Sequence, residues 1–126
     1  MGHSLFISTK DKSDWRIYPN ALSKELKDEW GKIVSFVEVK NDSGDHQLEW
    51  YIDNIDASWL EGNLLSNGEG IAFKSSSPYM AADFILWIYN KFHDDHELVT
   101  YSSDYKGTVT VSPEVTQGQI IKHLFS

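Results

Sequence analysis

The segment Pro78–Phe92, PYMAADFILWIYNKF, constrains the fold more than any other part of the chain. At helical spacing Met80, Phe84, Trp87 and Ile88 fall on one stripe, with Ile85 and Tyr89 beside it, so most of the circumference is apolar. A helix of that kind must be covered by other elements. Ser77 and Pro78 mark its start, a hydroxyl cap followed by a proline whose missing amide hydrogen is not needed in a first turn. The chain has 126 residues, about the length that closes one core and too short for two ordinary domains. We therefore expect a single domain over 1–126, with this helix packed centrally on a sheet.

The sheet is read from the flanking segments. A first strand is expected near Leu5–Ser8, and Pro19 opens a helix in which Leu22, Leu26 and Trp30 recur every four residues before Gly31 ends it. IVSFVEVK is β-branched and aromatic, and NDSGD is a turn. LEWYID alternates, placing Leu48, Trp50 and Ile52 on a core face and Glu49, Tyr51 and Asp53 on a wet one. SWLEGNLLS and GIAFKSS are joined through NGEG, which holds the Asn-Gly pair favoured in hairpin turns, so residues 33–76 read as an antiparallel meander. HELVTYSS and GTVTVS form a further strand pair around DYKG, and Thr116 with Gln119 has capping-box spacing before a terminal helix. The expected order is β-α-β-β-β-β-α-β-β-α, an α+β domain with a mainly antiparallel sheet packed against the central helix.

Charge placement narrows the partners. The net charge is −8, and between Asn41 and Phe73 lie seven acids (Asp42, Asp45, Glu49, Asp53, Asp56, Glu61, Glu69) with no lysine or arginine, whereas residues 1–40 hold seven bases and six acids. Such asymmetry repels phosphate backbones and anionic lipid and attracts basic partners, so direct nucleic-acid or membrane binding is not expected. Solubility alone is the plain alternative explanation of the charge. With no cysteine there is no disulfide, thiolate metal site or cysteine nucleophile. The N-terminal MGHSLFISTK lacks the apolar run of a signal peptide and no stretch approaches a membrane span, so a cytoplasmic location is expected.

Candidate chemistry is sparse. KFHDDHELV places His93 and His96 around Asp94 and Asp95, and His93 with Asp95 or His96 could ligate one cation, but adjacent residues rarely point inward together and no His-Glu-x-x-His or calcium-loop pattern is present. A solvated connector at a helix C-terminus is the preferred reading, with no metal or other cofactor. The serines at 75–77, 102 and 103 sit in no Gly-x-Ser-x-Gly elbow, and NGEG lacks the lysine of a phosphate loop. No catalytic residue is assigned and an enzyme is not expected. Trp50, Trp87 and Phe84 read as core. Tyr51, between Glu49 and Asp53 on the wet face, fits either a binding anchor framed by charge or a solvated aromatic.

The stretch from LEWYID through EGNLLSNGEGIAFKSS to MAADFILWIYNKFHDDHELVTYSSDYKGTVTVSPEVT, roughly residues 48–120, resembles bacterial immunity proteins of polymorphic and contact-dependent growth inhibition toxin systems. The likeness lies in a hairpin over a glycine-containing turn, a helix rich in Ala, Phe and Trp, and a strand pair running into a threonine-capped end. It implies a small cytoplasmic protein, without catalytic residues, that binds and blocks the toxin domain encoded beside it, commonly a nuclease. A carboxylate-rich face suits the basic groove of a nuclease as a phosphate mimic. From charge and strand alternation, and not from the family, the candidate toxin-binding residues are Glu49, Tyr51, Asp53, Asp56 and Glu61. A small-ligand-binding or adaptor domain without catalytic activity is the second reading.

Overall fold

The computed structural model describes residues 4–9, 15–38, 46–53, 58–65, 68–93, 96–102 and 107–125. Among the described residues seven strands and three helices follow one another as β1 (Ser4–Thr9), α1 (Pro19–Trp30), β2 (Val34–Glu38), β3 (His46–Asp53), β4 (Trp59–Leu65), β5 (Gly70–Ser75), α2 (Pro78–Phe92), β6 (Leu98–Ser102), β7 (Thr108–Val111) and α3 (Gln117–Phe125). A 3-10 turn, Gly31–Ile33, joins α1 to β2. This is the α+β order expected from the sequence. Every described strand pair is antiparallel, in one sheet ordered β2-β3-β4-β5-β1-β6-β7.

Strand alternation determines which face is buried. Leu5 and Ile7 of β1, Leu48, Trp50 and Ile52 of β3, Leu60 and Leu64 of β4, and Ile71 and Phe73 of β5 all lie in the core. The cross-strand register brings them onto the same face, as in Leu5 opposite Phe73 and Ile52 opposite Leu60. The three helices cover that face, α1 over β2 and β3, α2 over β4 and β5, and α3 against α2 and β7. The result is one layer of helices on one sheet, with the second sheet face left without a helix among the described residues.

Phe84 is the hub of the helix-to-sheet contact. It is 1% exposed, and its ring lies 5.0 Å from that of Phe73 and 6.1 Å from those of Trp30 and Trp50. Trp87 stacks against Phe84 at 5.9 Å and meets Trp30 edge-on at 4.8 Å, closing an aromatic cluster between α1 and α2. Gly62 of β4 lies opposite Trp50, and a Cβ at that glycine would come within 2.5 Å of the indole, so the missing side chain is the space the ring occupies.

The topology has one feature beyond the meander. β1 enters the sheet between β5 and β6, and α1 then carries the chain past β5, β4 and β3 to the far edge. The segment that leaves β1 anchors this crossing. Trp15 Nε1 donates to the Phe92 carbonyl at 2.7 Å, the Ile17 amide donates to the Gly68 carbonyl at 2.9 Å, and Arg16 pairs with Glu69 at 3.4 Å. Gly68 has φ +70°, and a Cβ there would meet the Ile17 carbonyl oxygen, so both backbone conformation and close approach require glycine.

Candidate interaction face

The polar residues singled out in the sequence fall into separate roles. Ser75, Ser76 and Ser77 form the joint between β5 and α2. Ser75 Oγ donates to the Trp59 and Ser77 carbonyls at 2.9 and 3.1 Å, Ser76 Oγ accepts from the Trp59 amide at 2.8 Å, and Ser77 Oγ accepts from the Met80 amide at 3.3 Å as the N-cap of α2. Their hydroxyls serve the backbone. His93 closes the other end of α2: its Nδ1–H donates to the Tyr89 carbonyl at 2.7 Å and its ring stacks on Tyr89 at 4.4 Å. Asp94 and Asp95 lie outside the described residues. Among the described residues no three His, Asp or Glu side chains gather as metal ligands.

The uncovered sheet face is where the candidate binding residues meet. Glu49, Tyr51 and Asp53 project from it at successive alternate positions of β3, with Tyr51 38% exposed. In register, Tyr51 is opposite Glu61 of β4, Glu61 is opposite Lys74 of β5, and Lys74 is opposite Ser4 of β1. The neighbouring row runs Glu49, Asn63, Ala72, Phe6, Tyr101. Thus Glu49, Tyr51, Asp53 and Glu61 lie together on one face. Asp56, like Asp42 and Asp45, lies outside the described residues.

Two stacked aromatic pairs flank the centre of that face. Tyr51 stacks on Trp59 with centroids 6.4 Å apart and planes at 15°, and Phe6 stacks on Tyr101 at 5.3 Å and 24°. At the usual interstrand spacing, β3 and β1 lie roughly 14 Å apart. Between them runs an open trough of about 390 Å³, bordered by Tyr51 and Phe6 with Glu49, Glu61, Asn63 and Lys74 along it. Two carboxylates lie at its β3–β4 side and one ammonium at its β5 side.

Sequence reasoning placed Glu49, Tyr51 and Asp53 on one strand face and added Asp56 and Glu61 from charge, but missed Phe6, Tyr101 and Lys74 as neighbours. Phe6 stands between Leu5 and Ile7, so the run LFI hides the alternation that would have marked it as outward-facing. Lys74 follows the acidic stretch by one residue, and only the pairing of β5 with β4 brings its charge opposite Glu61. Glu69, counted with the acidic stretch, instead pairs with Arg16 at the hairpin end.

Taken together, the covered and uncovered faces define an α+β domain with helices on one side of an antiparallel sheet and a charged, aromatic face on the other. The chain matches no protein-family model, no curated protein and no solved structure.

Proposed function

We propose that this chain is an immunity protein that binds and neutralises a cognate bacterial toxin domain, a basic nuclease of the RNase type, through its uncovered sheet face. The observation that carries the reading is the grouping of Tyr51, stacked on Trp59, with Glu49, Asp53 and Glu61 on the sheet face that no helix covers among the described residues. An amphipathic aromatic ringed by carboxylates suits a basic protein surface, where the ring supplies buried area and the acids steer association. In this role the chain is not an enzyme, needs no cofactor, makes no direct contact with nucleic acid or membrane, and works in the cytoplasm beside the toxin's target. No helix among the described residues is long and apolar enough to cross a membrane.

The test is co-expression with the toxin-like domain encoded next to this chain, scored by cell survival and by co-purification at low and high salt. Rescue with a 1:1 complex that weakens as salt rises is expected, because exposed charges are screened beyond about 8 Å at physiological ionic strength. Glu49→Lys, Asp53→Lys and Glu61→Lys together should abolish co-purification, and unchanged affinity would move the interface elsewhere. Absence of both rescue and complex would favour the second reading, a small-ligand-binding domain, for which the trough volume of about 390 Å³ is sufficient.

A further inference from the structure

Tyr51 has carboxylates on more than one side. Glu61 is directly across from it, where Cβ atoms of paired residues lie about 5 Å apart, and Glu49 is two residues along the same strand, about 7 Å away. Both border the trough beside Tyr51, Glu61 across the strand pair and Glu49 along β3, and the Trp59 ring stacks alongside Tyr51. A flat aromatic surface with two carboxylates at its margin matches a planar cation. The ring face attracts the positive charge while the carboxylates accept its N–H groups.

We infer that the trough receives an arginine side chain of the bound partner, its guanidinium lying against Tyr51 between Glu49 and Glu61. This rests on the reading of the uncovered face as a protein-binding surface and adds the chemistry of the contact. Guanidinium is favoured over ammonium because it is planar, stacks on aromatic faces, is more weakly hydrated and presents a fork of donors that two separated carboxylates can share. Lys74 is the register partner of Glu61 on the side away from Tyr51, so it adds a positive charge to the trough that opposes an incoming cation. Removing a carboxylate and removing the lysine must therefore change binding in opposite directions.

The experiment titrates the full chain at low salt with the peptide Gly-Arg-Gly-Arg-Gly-Arg and with its lysine counterpart, following backbone amide shifts by NMR. The arginine peptide should bind about three- to tenfold more tightly and move the amides of β3, β4 and β5. Glu49→Gln with Glu61→Gln should weaken it about tenfold, and Lys74→Gln should strengthen it about threefold. All three positions are at least partly exposed, and a dispersed amide spectrum verifies that each variant is folded. Asp28→Asn with Glu29→Gln, on the exposed side of α1, removes the same charge from the helix layer and should leave the affinity within twofold.

Equal affinity for the two peptides, a loss from the α1 pair as large as that from the trough pair, weaker binding by Lys74→Gln, or no binding at all would each overturn the proposal. If peptide binding fails while the toxin is still neutralised, the immunity reading stands with a different contact. If arginine binding holds while neutralisation fails, the trough is a guanidinium site serving another partner.

Discussion

Gly62 and Thr100 show how much single positions on the helix-facing side of the sheet depend on their neighbours. A Cβ at Gly62 would lie within 2.5 to 2.9 Å of three atoms of the Trp50 indole, a ring that also packs against Phe84. Gly62→Ala should therefore force the indole from its place and cost about 1–3 kcal/mol, measurable as a lower urea midpoint with an unchanged slope. Thr100 is fully buried on β6, and among the described residues its Oγ1 has no hydrogen-bond partner. Replacing the hydroxyl with a methyl group keeps the shape and removes an unpaired buried polar atom. Thr100→Val should raise stability by about 1 kcal/mol, and a lower midpoint would mean that the hydroxyl has a partner in solution.

At the scale of elements, the helix ends follow local chemistry closely. Ser77 caps α2 as its hydroxyl and the following Pro78 imply, and Thr116 with Gln119 forms a reciprocal box, the Thr116 amide donating to Gln119 Oε1 at 2.9 Å and the Gln119 amide to Thr116 Oγ1 at 3.3 Å. Gly31 ends α1 with φ +56°, the backbone conformation for which glycine is preferred. The α2 cap also helps join α2 to the sheet, because Ser75 and Ser76 on the same turn hold the Trp59 backbone. Ser77→Ala should cost about 1 kcal/mol, checked by thermal unfolding, with the Trp59 amide among those whose hydrogen exchange accelerates.

The whole molecule depends on β1. It pairs with β5 on one side and β6 on the other, so the meander β2–β5 and the pair β6–β7 belong to one sheet only through this first strand. A chain lacking residues 1–9 should lose cooperative thermal unfolding by circular dichroism, because removing β1 exposes the edges of β5 and β6 and uncovers the Leu5 and Ile7 sites in the core. Retention of a sharp transition would show that β5 and β6 can close on each other. The same strand completes the trough, since Phe6 and Ser4 form its far border. Fold and interaction face therefore share one dependence on a pairing that is distant in sequence.

Sequence alone determined the element order, the helix ends and the two faces of β3. Each follows from interactions spanning a few residues: period-two alternation in LEWYID, period-3.6 recurrence in FILWIYNKF, and hydroxyl, proline and glycine preferences at helix ends. The grouping of Glu49, Tyr51 and Asp53 was legible for the same reason, since residues two apart on a strand share a face. Only the tertiary structure decided that β1 lies between β5 and β6, that Lys74 stands opposite Glu61, and that Phe6 and Tyr101 border the trough. Strand order in an antiparallel sheet is set by which edges find the best-packed partners once the helices cover one face. No local pattern encodes that choice, because any strand of suitable alternation can satisfy the hydrogen bonds of any other.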